Sequence, residues 1–191
     1  MNVILGVTFF ILGSLAVYIF QKKRFKKMKE EDFVVEVVQK AFLREKFSDH
    51  NEHNLVRALL KSDSFIKDLS LTAKFKGMIV GYILFTKVKV GEETLLALAP
   101  LAVLPRFQKK GVGKSLVEKG HKVAKDLGYK GIVVLGHAEY YKKFGYEPAS
   151  KWNIKFPLEI ADENFMAIEL YPGALENING TVEYPVEFGI N

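Results

Sequence analysis

Leu101-Ala102-Val103-Leu104-Pro105-Arg106-Phe107-Gln108-Lys109-Lys110-Gly111-Val112-Gly113-Lys114-Ser115 is the stretch on which the reading of this chain turns. An apolar run leads through a proline into a basic turn with two glycines. Beyond the turn, residues 111–127 carry apolar side chains at helical spacing and end before Gly128, a residue suited to the C-terminal cap. Strand, glycine turn and helix in that order suit an anion site, the alternative being an ordinary strand-to-helix connection. Glycines let the backbone approach a phosphate closely, and the first N–H groups of the helix point at it unpaired. Gly111-Val112-Gly113-Lys114-Ser115 suggests the loop that cradles nucleoside triphosphates, but that loop needs a further glycine at position 108, which is Gln. The acidic residue that would hold a metal after a second apolar strand is missing too, since Ile132-Val133-Val134-Leu135 runs into Gly136-His137.

Upstream of the turn, residues 94–104 form a long apolar run that predicts a strand buried on both faces, interrupted by Pro100. Proline removes a ladder hydrogen bond, so a bulge or a separation of two strands is expected there. Further back, residues 69–75 and 78–88 read as a hairpin turned at Lys76-Gly77, with Gly91-Glu92-Glu93 closing the next turn. Helices are expected over about 33–42, with Asp32 as a cap, and over 52–61. Downstream, residues 132–135 and 164–170 read as strands and 139–144 as a short helix. Residues 171–191 show no periodicity, yet Leu175, Ile178, Val182, Tyr184, Val186 and Phe188 are too apolar for a solvated tail.

The chain has 191 residues, enough for one domain with a sizeable core and an appendage. It has no cysteine, which excludes disulfides, thiol catalysis and Cys-bearing zinc sites. No metal is expected. The formal net charge of +6 is concentrated in Lys22, Lys23, Arg24, Lys26, Lys27 and Lys29; the remainder is close to neutral, which argues against nucleic-acid binding. Residues 3–20 contain no charge, and as a helix they would extend about 27 Å. The basic cluster follows this run instead of preceding it, so residues 1–21 are expected to be a transmembrane anchor, with the rest of the chain cytoplasmic. Residues 22–30 are either a basic juxtamembrane segment or a first strand, and residues 31–191 form the folded domain. Without insertion, the whole chain is expected in the cytoplasm.

The segment Gln108-Lys109-Lys110-Gly111-Val112-Gly113 resembles the Q/R-x-x-G-x-G/A signature of the GNAT N-acetyltransferases, and Tyr141-Lys142-Lys143-Phe144-Gly145-Tyr146 resembles their Y-x-x-x-G-F/Y segment. The longer stretches LAPLAVLPRFQKKGVGKSLVEKG, LGHAEYYKKFGYEPA and PGALENINGTVEY are similar to the YhbS-like group within that family. The resemblance implies an α/β fold with a mixed sheet opened between its fourth and fifth strands, and acetyl-CoA inserted in the gap. It implies that Leu101, Ala102 and Val103 pair with the pantetheine through their backbone. The diphosphate is then expected on Gln108, Lys109, Lys110, Gly111, Val112, Gly113 and Lys114. Direct transfer to an amine needs a proton donor for the departing thiolate, and Tyr141 is the candidate, with Tyr140 read as packing. His137 is a candidate base and Glu139 a lesser one; the family often has an Asn in this region and a longer connection before the tyrosine. His50 and His53 fall in the segment that lines the acceptor side in the family. The expected activity is acetyl transfer to an amine of a small molecule or peptide; the alternative is a catalytically silent, membrane-tethered acyl-CoA sensor or interaction module.

Overall fold

The computed structural model describes residues 29–45 and 48–190. The apolar run and residues 22–28 of the segment that could be a first strand lie outside the described residues, and Glu30 at its end already belongs to a helix. Two units divide the chain, Met1–Phe33 and Val34–Asn191, and the second carries the sheet.

Helix α1 spans Glu30–Phe42 and α2 spans Glu52–Leu59. Asp32 lies inside the first turn of α1, where its carboxylate accepts the Lys29 N–H at 3.1 Å; the helix therefore begins earlier than a cap at Asp32 would allow. Three long antiparallel strands follow: β1 (Phe65–Phe75), β2 (Met78–Val90) and β3 (Glu93–Val103). Then come α3 (Val112–Asp126), β4 (Gly131–Leu135), the single-turn helix α4 (Ala138–Tyr141), and the short strands β5 (Glu147–Pro148), β6 (Ile154–Lys155), β7 (Phe165–Glu169) and β8 (Gly180–Glu183). The sheet runs β5-β7-β4-β3-β2-β8-β6, with β1 also paired to β2. Among the described residues, no helix is long and apolar enough to cross a membrane.

Two features of β3 place the site. Opposite β2 the register steps from Ile83↔Leu101 to Phe85↔Leu98, so β3 carries an extra residue around Ala99-Pro100, the bulge that Pro100 predicts. On its other edge β3 pairs with β4 in parallel only at Leu96↔Ile132 and Ala97↔Val133. Past Ala97 the two strands part. The second half of β3 thus has one edge without a strand neighbour, while β4 continues against β7 as far as Leu135↔Phe165. This is the mixed, opened sheet expected from the resemblance.

Alternation along the central strands feeds two apolar layers. Ile83, Phe85, Leu96, Leu98, Ile132 and Val134 meet Leu116, Val117 and Ala124 of α3 on one face. Leu95, Ala97, Val133 and Ala167 meet Leu175, Ile178, Val182 and Tyr184 on the other. The last four come from the aperiodic C-terminal stretch, which adds β8 to the edge of β2 through Lys89↔Glu183 and Val90↔Val182. Val186 is the exception among the apolar residues expected to pack, being 79% exposed.

Helix α3 approaches the sheet most closely at Gly120, where an added Cβ would stand 2.3 and 2.5 Å from ring carbons of the fully buried Phe85. A close-packed ring has little room to yield. Gly120→Ala is therefore expected to cost about 1–3 kcal/mol in overpacking, offset by about 1 kcal/mol of helix propensity, for a net loss of up to about 2 kcal/mol in urea denaturation.

Candidate active site

The expected diphosphate turn begins where β3 ends. Pro105–Phe107 form a single 3-10 turn, and the Gln108 side chain reaches back so that its Nε2 donates to the Val103 carbonyl at 3.1 Å. That bond ties the turn to the free end of β3. The chain then makes two left-handed steps, Lys109 at φ 58° and Gly111 at φ 84°. The second is natural for glycine; the first is a strained conformation for lysine. Gly111 caps α3, and the first helical bond runs from Ser115 N–H to the Gly111 carbonyl at 2.9 Å. Val112, Gly113 and Lys114 precede any i−4 carbonyl of the helix, and no side chain caps them. Their N–H groups form a donor set at the positive end of a 15-residue helix, on a turn that also carries Lys109, Lys110 and Lys114. Lys114 is shared with Glu118 at 3.7 Å.

Leu101, Ala102 and Val103 lie on the half of β3 beyond its last pairing with β4. Across the opening, β4 ends at Leu135 and the chain turns through Gly136 and His137 into α4. Tyr141 is 8% exposed, and its ring presses on Gly136, where an added Cβ would stand 2.7 Å away. It meets Tyr140 edge-on at a centroid distance of 5.2 Å and Tyr146 at 5.5 Å. Burial first, and the neighbouring Tyr140 phenol second, push its hydroxyl pKa well above the usual tyrosine value, so it is protonated throughout the physiological range. Tyr140 takes another direction: its hydroxyl lies 2.6 Å from where a Cβ on Gly113 would stand, so it reaches across to the first turn of α3.

His137 is exposed at the start of α4, where its carbonyl accepts the N–H groups of Tyr140 and Tyr141 at 2.9 and 3.2 Å. Glu139 is 93% exposed along its side chain and pairs with Lys142 at 3.5 Å. His50 is exposed, with Nδ1 2.9 Å from the Phe42 carbonyl, while His53 buries an Nδ1 that has no hydrogen-bond partner among the described residues. The structure thus brings Gln108 to Lys114 together with Tyr140, and sets Tyr141 beside Gly136 at the end of β4.

One pair has no signal in the local sequence. His121, on α3, places Nε2 3.0 Å from the hydroxyl of Tyr146, which is almost fully buried. Twenty-five residues separate them, and neither belongs to a spacing pattern that would join them. Burial lowers the imidazole pKa to about 4, against a smaller opposing pull from Glu118. In the unfolded chain the group titrates near 6.5, so between these values unfolding takes up a proton. Stability is expected to fall as pH drops from about 6.5 to about 4, by an amount on the order of 3 kcal/mol, and to be insensitive to this group above 6.5. Chemical denaturation at pH 7.5, 6, 5 and 4 checks this, with His121→Gln expected to flatten the dependence.

A mixed sheet parted beside a glycine turn and a helix N-terminus defines a class of proteins that insert a phosphate-bearing cofactor between two strands. The profile of the acetyltransferase (GNAT) family matches residues 24–146, and the chain belongs to that family. It is 31% identical over 150 residues to the uncharacterized N-acetyltransferase YhbS of Escherichia coli K12, a match covering 78% of this chain and 89% of YhbS. It is 39% identical over 108 residues to the uncharacterized N-acetyltransferase YjhQ of the same strain; that match covers 54% of this chain and only 60% of YjhQ. Among solved structures, E. coli YhbS in complex with CoA superposes with a TM-score of 0.72 at 30% identity, covering 80% of this chain and 85% of that one. A GNAT acetyltransferase from Brucella melitensis in complex with acetyl-CoA gives 0.68 at 28% identity, covering 85% and 95%.

Proposed function

We propose that this chain is an acetyl-CoA-dependent N-acetyltransferase that moves the acetyl group directly to the amine of a small molecule or peptide. The observation that carries the reading is the parting of β3 from β4 after Ala97, next to the uncapped N-terminus of α3. Two similar proteins hold CoA or acetyl-CoA in their solved structures, and the donor set at Val112 to Lys114 suits a diphosphate. Gln108 to Lys114 take the diphosphate, and the free edge of β3 at Leu101 to Val103 takes the amide groups of the pantetheine.

In the reaction the amine nitrogen attacks the thioester carbonyl carbon, and the C–N bond forms as the C–S bond breaks. A backbone N–H of β3 steadies the oxygen as it gains charge. Tyr141 gives its phenolic proton to the departing thiolate and regains one from solvent afterwards; burial keeps the hydroxyl protonated beforehand but also weakens it as an acid, so the transfer accompanies C–S cleavage. The proton lost by the amine passes to His137 or to water beside it. Acceptor specificity belongs to the surrounding loops, which are built independently of the cofactor site.

The reading of residues 3–20 as a membrane anchor rests on the sequence alone: eighteen uncharged residues followed by a basic cluster. Recovery of the intact chain in the soluble fraction would overturn it.

The function is tested by titrating the full chain with acetyl-CoA and, separately, ATP, and then following thiol release across a panel of amines. Binding of acetyl-CoA with amine-dependent thiol release is the expected result. Binding of ATP but not acetyl-CoA would sink the proposal, and acetyl-CoA binding without release by any amine would favour a sensor.

A further inference from the structure

Strand β3 leads into α3 and β4 leads into α4, so a ligand entering between the strands passes between the starts of these two helices. Tyr140 is the residue that spans this entrance. Its ring is wedged in place, 5.2 Å from Tyr141 at an interplanar angle of 89° and 5.4 Å from Phe144 at 60°. From that position its hydroxyl comes to Gly113, 2.6 Å from where a Cβ would stand. Gly113 is the middle residue of the three whose N–H groups lack a helical partner, and no side chain caps that turn. Among the described residues, the Tyr140 hydroxyl has no hydrogen-bond partner of its own. The phenolic hydroxyl therefore stands beside the middle residue of the three uncapped N–H donors, and the ring that carries it packs against Tyr141 and Phe144.

We propose that Tyr140 is a ligand of the cofactor, donating a hydrogen bond from its phenol to the diphosphate and closing the cradle from the side opposite the first turn of α3. The proposal rests on the reading that the turn at Gln108–Gly113 takes CoA. Burial raises the phenol pKa, so the group stays a donor at neutral pH. Gly113 gains a second reason to be glycine: it leaves room both for a phosphate and for this hydroxyl. Tyr140 also adjoins Tyr141 in the same single turn of helix. Cofactor held through Tyr140 thereby fixes the turn that presents the proposed acid, and links diphosphate binding to the placement of Tyr141.

The test is Tyr140→Phe in the full chain, which keeps the ring and its packing and removes only the hydroxyl. Calorimetric titration gives Kd for CoA and for dephospho-CoA, and NMR titration into the millimolar range follows pantetheine. A hydrogen bond to a charged acceptor predicts Kd values for CoA and dephospho-CoA weakened by roughly tenfold or more, with pantetheine unaffected. An unchanged Kd for CoA overturns the proposal while leaving the cofactor reading intact. Weakening for CoA but not for dephospho-CoA overturns it by assigning the hydroxyl to the 3′-phosphate. Equal weakening for pantetheine overturns it by making Tyr140 a wall for the pantetheine arm. Failure of the wild-type chain to bind CoA removes the cofactor reading itself, and this inference with it.

Discussion

Replacing Tyr141 with Phe is expected to lower the rate of amine-dependent thiol release by about a hundredfold at pH 7, while the Kd for CoA changes little. A positioned general acid contributes roughly 10²–10⁴-fold, and the lower figure applies because a thiolate is a tolerable leaving group without full protonation. The substitution removes one oxygen from a ring that packs against Gly136, Tyr140 and Tyr146, so the fold has no reason to change. The loss should be smaller at low pH, where solvent can supply the proton. Rates across pH 6–9 with saturating acetyl-CoA, beside a thermal melt, separate this from a packing defect. Unchanged turnover would remove Tyr141 as the acid, and a matching loss of thermal stability would reduce it to a core residue.

The second large effect is expected at the glycine turn. Gly113→Val should weaken CoA binding by at least about a hundredfold and leave the melting temperature within a few degrees. The new Cβ would stand 2.6 Å from the Tyr140 hydroxyl and 3.7 Å from side-chain carbons of Leu101 and Val103, and its two methyl groups would cover the N–H groups of the first turn. Several charge-assisted hydrogen bonds to the diphosphate would then be lost together, each worth about 1.5–3 kcal/mol. The fold tolerates the change because the one close contact is the hydroxyl end of the half-buried Tyr140 and not backbone, while Leu101 and Val103 stay at ordinary van der Waals distance. Calorimetry with CoA gives the affinity, and a normal melt with unaltered affinity would exclude the turn as the diphosphate site.

Much of the scaffold was legible from local patterns. Alternation and unbroken apolar runs gave β2 and β3 close to their observed spans, and the 3.6-residue period with Gly128 behind it gave α3. Pro100 was read correctly as a disturbance in pairing, because a missing N–H is a property of the residue wherever it lies. Strand β1 starts at Phe65, four residues earlier than expected, because Lys67 and Asp68 break the apolar pattern while the backbone still pairs at Phe65↔Thr86. The short strands β5, β6 and β8 gave no signal, since two to four residues cannot show a period. Their pairing is decided by partners far away in the chain.

By itself, the sequence determined that a glycine turn with three lysines joins a strand to a helix, a pattern that suits a phosphate at a helix N-terminus and equally serves an ordinary strand-to-helix connection. It also named the tyrosines, with Tyr141 as the proton donor and Tyr140 as packing, but that assignment came from the resemblance and not from any geometry in the sequence. Tyr140 and Tyr141 are adjacent, so no spacing argument tells which points at Gly113 and which is pressed against Gly136. Tertiary structure decides that, because the single turn of α4 is bound to the end of β4 on one side and faces α3 on the other, so neighbouring side chains leave it in different directions. The His121–Tyr146 pair arises in the same way, when helix α3 is laid on the sheet and a polar atom at each buried position must find the other.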